Sequence, residues 1–320
     1  MRYEAFTQAK AESIIRLWNK ELFESFPLRK ELFFQNTIQD ENLFLHGSFL
    51  CIDEKEETVI GFIITKVWQK DDGRNLFPPQ TGWIQAILVD KEYRKVGIGS
   101  KLLSLAETAL TQKGIKRILV GADYLHYFPG IPEQEVDTQR WFEKKSYQAG
   151  NREVDLAGHF DDSYKWEPDL EEGVSYTLLE KENANELIFF LHRCFPGRWE
   201  YEAMDYFARG GTGREFVVLR KNEKLIGFCR INDPLSPFIA QNINWSPLFP
   251  TPLGGIGPLG IDESERGNGF GHEIVKAGVH FLVQRGIKDI VIDWTGLISF
   301  YQKAGFQVWK SYKGYSKDLV

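Results

Sequence analysis

Apolar and polar positions along this chain switch between a helical and a strand period, and each switch marks an element. Ala11 to Glu24 carries Ile14, Ile15, Leu17, Trp18 and Leu22 at helical spacing, which predicts an amphipathic helix. Ser48 to Asp53 and Val59 to Trp68 are β-rich runs across a charged turn and predict an antiparallel pair. Trp83 to Val89 predicts another strand. The segment after it places Leu102, Leu103, Ala106, Ala109 and Leu110 on one helix face. A strand at Arg117 to Gly121, an aromatic-rich helix at Thr138 to Lys145 and a closing strand complete the set. The series then recurs: a helix at Asn185 to Cys194, strands at Glu215 to Arg220 and Lys224 to Asn232, and a strand at Gly257 to Ile261. A helix bearing Ile274, Val275, Gly278, Phe281 and Leu282 comes next, then a strand at Asp289 to Asp293, a helix at Leu297 to Lys303 and a closing strand. Early antiparallel strands with a late strand–helix–strand crossover predict an α/β (α+β) fold, twice over. Each copy is a mixed, mostly antiparallel sheet flanked by helices.

Identical landmarks support the duplication. Gly114-Ile115-Lys116 matches Gly286-Ile287-Lys288 at an offset of 172, Ile60-Gly61-Phe62 matches Ile226-Gly227-Phe228 at 166, and Phe26-Pro27 matches Phe195-Pro196 at 169. The acidic, aperiodic stretch Asp161 to Gly173, with Pro168, reads as the linker, giving domains 1–165 and 166–320. The offset drops to 159 where Trp141-Phe142 aligns with Phe300-Tyr301, so the first copy holds 13 more residues (172 − 159), in the aromatic loop around Asp123 to Pro132. Such a loop reads either as a substrate-contacting segment or as a lid over the core.

The strongest repeat is a glycine-rich turn. Leu88-Val89-Asp90 leads through a polar turn into Arg94-Lys95-Val96-Gly97-Ile98-Gly99-Ser100, and Leu259-Gly260-Ile261-Asp262 leads into Arg266-Gly267-Asn268-Gly269-Phe270-Gly271. A strand feeding glycines at a helix N-terminus offers free N–H groups and the positive helix end to an anion, and the glycines let a ligand approach the backbone. Arg94, Lys95 and Arg266 add charge. The phosphate-loop and dinucleotide patterns are absent: no Lys-Ser/Thr follows, and Leu102 stands where a third glycine is required.

These residues resemble the GCN5-related N-acetyltransferase (GNAT) superfamily, whose signature is Arg/Gln-x-x-Gly-x-Gly/Ala after an apolar strand, with an aromatic-Tyr-x-x-x-Gly-Phe segment downstream. Both copies carry the first signature, and Phe300-Tyr301-Gln302-Lys303-Ala304-Gly305-Phe306 carries the second. The layout is similar to that of the tandem mycothiol synthases. The resemblance implies acetyl-CoA as donor, with its pyrophosphate on the two glycine turns and its pantetheine arm along the strands near Leu88-Val89 and Leu259-Ile261. It implies that a backbone N–H near Val89 or Ile261 holds the thioester oxygen and that Tyr301 serves the leaving thiolate, a position occupied in the first copy by Phe142. That favours chemistry in the C-terminal copy. No general base is fixed. Gln85 stands on the first strand, Asp123 and Asp293 end the next strand in each copy, and His126, a residue type that can take up a proton at neutral pH, follows Asp123. Asp123 and His126 are the polar candidates of the first copy. The clusters at Phe128-Pro129-Gly130 and Phe195 to Trp199 read as cleft lining or as ordinary turn packing.

Composition narrows the partners. The 320 residues are 42% hydrophobic and 26% charged, with a net charge of −6, as in a soluble globular protein with no basic nucleic-acid face. An acidic surface tolerates a small cationic amine. Cys51, Cys194 and Cys229 are odd in number and far apart, which indicates reduced thiols in a reducing cytoplasm and neither a disulfide framework nor a metal site. No apolar run is long enough for a membrane span or a signal peptide. The expectation is an acyl-CoA-dependent N-acyltransferase acting on a small-molecule primary amine, a pseudo-dimeric monomer in layout. The alternatives are a non-catalytic acyl-CoA sensor and, against the acidic charge, an aminoacyl transferase. The acceptor is not legible.

Overall fold

The computed structural model describes residues 1–69, 77–168 and 171–319. Residues 169 and 170 of the expected linker lie outside them. The chain runs through β1 (Arg2–Ala5), α1 (Ala11–Leu22), α2 (Lys30–Phe33), β2 (Phe49–Asp53), β3 (Thr58–Val67), β4 (Thr81–Val89), α3 (Ile98–Gln112), β5 (Arg117–Val120), β6 (Ile131–Pro132), α4 (Val136–Glu143) and β7 (Gln148–His159). It continues through β8 (Val174–Leu178), α5 (Ala184–Cys194), α6 (Arg198–Ala208), β9 (Phe216–Lys221), β10 (Lys224–Asn232), β11 (Leu253–Ile261), α7 (Phe270–Gln284), β12 (Asp289–Thr295), α8 (Ile298–Gln302) and β13 (Gln307–Asp318). The fold is mixed α/β with mostly antiparallel sheet, and no helix among the described residues is long and apolar enough to cross a membrane.

These elements form two compact units. One takes described residues 1–69, 77–153 and 311–319, and the other takes 154–168 and 171–310. In the first unit the strand order is β1-β2-β3-β4-β5, with Arg117–Val120 of β5 closed by Tyr315–Asp318 of β13. In the second the order is β12-β11-β10-β9-β8, with β12 closed by Val154–His159 of β7. The strand that closes the first unit therefore comes from the far end of the sequence. In each unit one neighbouring pair is parallel, β4 with β5 and β11 with β12, because a helix returns the chain between them.

The cores follow the apolar periodicity. α3 buries Ile98, Leu102, Leu103, Ala106 and Leu110 against Ile63, Ile84 and Ile118, and α7 buries Phe270, Ile274, Val275, Val279 and Leu282 against Cys229, Ile231, Ile256 and Ile290. On the opposite face of the second sheet, Leu187, Phe190, Leu191 and Tyr206 of α5 and α6 pack on Phe216, Val218 and Phe228. All three cysteines are free, and burial raises the thiol pKa of Cys51 and Cys229.

A bulge interrupts the sheet of each unit. The β3–β4 register shifts between Ile64 and Thr65, skipping Gln85, and the β10–β11 register shifts between Cys229 and Ile231, setting Gly257 and Pro258 opposite Arg230. The parallel ladders end at the same level, at Ile84 with Val120 and at Ile256 with Ile292. Past that point the strands part, and each unit gains a wedge-shaped gap along the open edge of β4 or β11.

Candidate active site

The glycine turns stand at the wide end of each gap. Asp90 and Asp262 cap short helical turns by accepting from the amides of Glu92 and Ser264. Burial opposes ionisation of Asp262, but hydrogen bonds from Ser264 and Arg193 hold its pKa down at about 2. Gly97 (φ 97°) and Gly269 (φ 81°) are the N-caps of α3 and α7, in a left-handed conformation that side chains resist. A Cβ at either would meet nothing within 4 Å, so open space stands before the first amides of both helices. An anion of pyrophosphate size fits that geometry.

Arg94 and Arg266 do a second job there. Arg94 Nε donates to the Val89 carbonyl at 2.8 Å and Nη2 to Glu21 at 2.6 Å, and Arg266 Nε donates to the Ile261 carbonyl at 3.2 Å. Both arginines thus pin the end of the strand to the turn. The amides of Asp90 and Asp262 donate to Ile60 and Ile226. By the alternation of an antiparallel ladder, the N–H groups of Ile87 and Val89, and of Leu259 and Ile261, face the open edges. Two such donors in line suit an extended amide-bearing arm.

The narrow ends of the gaps differ. The matched ladders place Asp293 level with Gly121, not with Asp123, which is level with Thr295. The gap of the first unit is lined by Trp18, Phe26, Gln85, Leu88, Phe128 and Phe142 among others, and neither Asp123 nor His126 lines it. Gly121 is overlaid by the loop: a Cβ there would stand 2.3 Å from the Phe128 carbonyl oxygen. Gln85 donates to the carbonyls of Asn36 (2.7 Å) and Leu125 (3.1 Å) and accepts from Thr37, which also bonds Tyr127 at 2.8 Å. Asp123 is fully buried and 2.5 Å from Lys66 Nζ, which also meets Asp40 at 2.7 Å. His126 is buried, with Nδ1 3.2 Å from the Asp123 carbonyl oxygen. The structure brings Asp123 and His126 together inside the aromatic loop, as part of its internal bonding.

In the second unit a carboxylate stands at the narrow end. Asp293 Oδ1 lies 3.8 Å from where a Cβ on Gly257 would be, beside the bulge. Burial, then the charges of Asp155 and Glu202, push its pKa up to about 7, against the pull of Arg198. Asp155, on β7, accepts from the Trp294 amide at 3.0 Å, while Arg198 bonds Glu202 at 2.7 Å and stacks 4.7 Å above the Trp294 ring. Tyr301 of α8 is buried, and burial first, then Cys229 and Asp293, raise its phenol pKa, so its O–H stays protonated. Phe142 takes the matching place in the first unit. The sequence pointed to Tyr301. It also named Asp293, matched with Asp123, whereas the offset of 172 that aligns the glycine turns pairs Asp293 with Gly121.

Among the described residues no group of histidine, cysteine and acidic side chains could hold a metal.

Comparison with known proteins agrees with the duplicated architecture. The family description "Acetyltransferase (GNAT) family" matches residues 11–126 and 184–306, more than half of the chain. Mycothiol acetyltransferase of Nocardia farcinica is 26% identical over 108 residues, covering 31% of this chain and 36% of that protein. Among solved structures, a GCN5-related glucosamine N-acetyltransferase region of a fungal multi-domain GH3 β-N-acetylglucosaminidase superposes with a TM-score of 0.88 at 24% identity, over 99% of this chain and 38% of that one. This chain therefore spans little more than a third of either protein's length. A GCN5-related N-acetyltransferase from Sphaerobacter thermophilus gives a TM-score of 0.72 at 16% identity, over 99% of this chain and 95% of that one. The chain belongs to the acetyltransferase (GNAT) family and carries the family's unit twice.

Proposed function

We propose that the second unit transfers an acetyl group from acetyl-CoA to the primary amine of a small molecule, with Asp293 as general base. The observation that carries this reading is a carboxyl of pKa about 7 past the end of the β11–β12 ladder, close enough to Tyr301 for its charge to raise the phenol pKa. A base is most effective when its pKa lies near the working pH, because the ionised form is then populated and still has appetite for a proton. In this reading Arg266, Gly267, Asn268, Gly269, Phe270 and Gly271 hold the pyrophosphate, and the N–H groups of Leu259 and Ile261 bind the arm and the thioester oxygen. The bound donor supplies an acyl group activated as a thioester. Asp293 takes the proton that the attacking amine must lose, and the cluster of Asp155 and Glu202 favours arrival of a cationic amine. Tyr301 donates a hydrogen bond to the departing sulfur. Full transfer of its proton is uphill, since an ordinary thiol has a pKa of ~8.5. The tyrosine therefore acts by stabilising charge, and the acceptor's proton leaves through Asp293.

The first unit keeps its own turn, Arg94 to Ser100, and its apolar gap, but has Phe142 and Gly121 where the second has Tyr301 and Asp293. The non-catalytic acyl-CoA-binding reading fits this unit. The three free cysteines suit a reducing cytoplasm. The similar fungal region is described as acting on glucosamine, which makes glucosamine the first acceptor to try. Incubation with acetyl-CoA and D-glucosamine is expected to release free thiol and form the N-acetyl product. Absence of thiol release across glucosamine and a panel of simple primary amines would contradict the transferase reading.

A further inference from the structure

Two buried polar side chains on β10 of the second unit are left partly unpaired by the fold. On β10, Cys229 and Ile231 point toward α7, where they come within 3.4 Å and 3.3 Å of a Cβ placed on Gly278. The alternation of a strand sends Arg230 and Asn232 to the other face, beneath α6. Arg230 is only 2% exposed, its guanidinium 4.8 Å from the Phe238 ring centre and 5.6 Å from that of Tyr206. Its Nε and Nη2 have no hydrogen-bond partner among the described residues. Asn232 is fully buried. Its Nδ2 donates to Asn242 Oδ1 at 3.3 Å, and its own Oδ1 has no partner among the described residues. Asn242 in turn reaches the Gly257 carbonyl at 3.5 Å, the residue beside Asp293, and Arg230 stands opposite the Gly257-Pro258 bulge. Both residues thus lie across the ladder from the segment around Gly257, whose Cβ position is 3.8 Å from Asp293 Oδ1.

Buried donors and acceptors are almost always paired, and leaving one unmade costs more than making it gains. Nε and Nη2 form the side-on fork of a guanidinium, which matches two neighbouring oxygens. A carboxylate would satisfy the fork but has no proton for Asn232 Oδ1. A pair of adjacent hydroxyls satisfies both: their oxygens accept from the fork, and one O–H donates to the amide oxygen. Among the described residues the first unit has an unpaired buried amide nitrogen of its own, Asn36 Nδ2, but not at the matched positions. The matched positions are Ile64, a buried apolar residue, and Lys66, paired with Asp40 and Asp123.

We infer that Arg230 and Asn232 bind a vicinal pair of hydroxyls on the acceptor, so that the preferred acceptor is a polyhydroxylated primary amine of the amino-sugar class. This rests on the reading of the second unit as an amine acetyltransferase. The test is calorimetric titration of the full chain, with coenzyme A present, by D-glucosamine, cyclohexylamine and β-alanine. Wild type is expected to bind glucosamine most tightly. Arg230→Lys keeps the cation between its rings but removes the fork, and Asn232→Ser shortens the acceptor. Each is expected to weaken glucosamine about tenfold or more while leaving cyclohexylamine within about twofold. Thermal unfolding of both variants shows whether either has simply lost its fold. Equal wild-type affinity for glucosamine and cyclohexylamine overturns the inference. So does unchanged glucosamine binding in folded variants, which would mean that these groups hold ordered water only. Tighter binding of β-alanine, lost in Arg230→Lys, would reassign the fork to an anion. Binding is read without turnover, so glucosamine that binds but is never acetylated contradicts the reaction and leaves the subsite standing.

Discussion

The two units share a scaffold and diverge at matched positions, among them Arg230 against Ile64. Where the second unit has Asp293, the first has Gly121 under a loop carbonyl; Tyr301 is answered by Phe142 and Asn232 by Lys66. The polar side chains of the first unit are bonded to one another: Lys66 with Asp40 and Asp123, and Gln85 with Thr37, Asn36 and Leu125. Among the described residues both units keep an unpaired buried polar atom, Asn36 Nδ2 in the first and Arg230 Nε and Nη2 with Asn232 Oδ1 in the second, but the second also has a carboxyl whose pKa burial, then the charges of Asp155 and Glu202, push up to about 7. The difference that bears on the proposed assignment of the units is therefore the near-neutral carboxyl, a kind of perturbed group that clusters at functional sites.

The contrast can be broken most severely at the glycine turns. Gly269→Trp fills the open space before α7 and is expected to abolish acetyl transfer, whereas Gly97→Trp leaves transfer near wild type; thiol-release assays on both decide it. Transfer lost only with Gly97→Trp would reverse the assignment of the units. Next in size is the buried ion trio. Asp123→Ala leaves Lys66 with one carboxylate and is expected to cost about 3–5 kcal/mol in denaturant unfolding, with turnover per folded molecule unchanged. A catalytic Asp123 would instead show lost turnover in a protein of ordinary stability. Third, Asp293→Asn is expected to stabilise the fold. Its carboxyl titrates near 3.8 in an unfolded chain and at about 7 in the folded one. The folded state therefore binds more protons across that window, and stability falls as pH rises through it. At about pH 8 the variant gains up to about 4 kcal/mol, and at about pH 4 it gains nothing. Equal stability at both pH values would mean that Asp293 is not strained.

Much of the fold was legible because its elements are amphipathic. The stripe from Ile14 to Leu22, the stripe from Leu102 to Leu110 and the glycine turns each declare themselves within a few residues. The closing strands were expected but their partners were not legible, because pairing of β5 with Tyr315–Asp318 joins segments nearly 200 residues apart. α6 went unread for a different reason: Arg198–Ala208 buries Glu200 and Glu202 as well as Tyr201 and Tyr206, so its inward face does not read as apolar. The site divides in the same way. Tyr301 sits in a contiguous motif and could be found. Asp293 depends on β7, α6 and β12 for its surroundings, and Arg230 reads in sequence as an ordinary strand residue. No short window of sequence contains the charges that set the one or the vacancy that marks the other.

The central claim is that Asp293 is the base that accepts the acceptor's proton. The most direct measurement is the pH dependence of kcat/KM for D-glucosamine at saturating acetyl-CoA, in wild type and in Asp293→Asn. The account predicts a wild-type rate that rises with pH through about 7 as the carboxyl ionises, and a variant that is slower by about 10²–10⁴-fold and has lost that limb. A variant that keeps both the limb and a near-wild-type rate would contradict it.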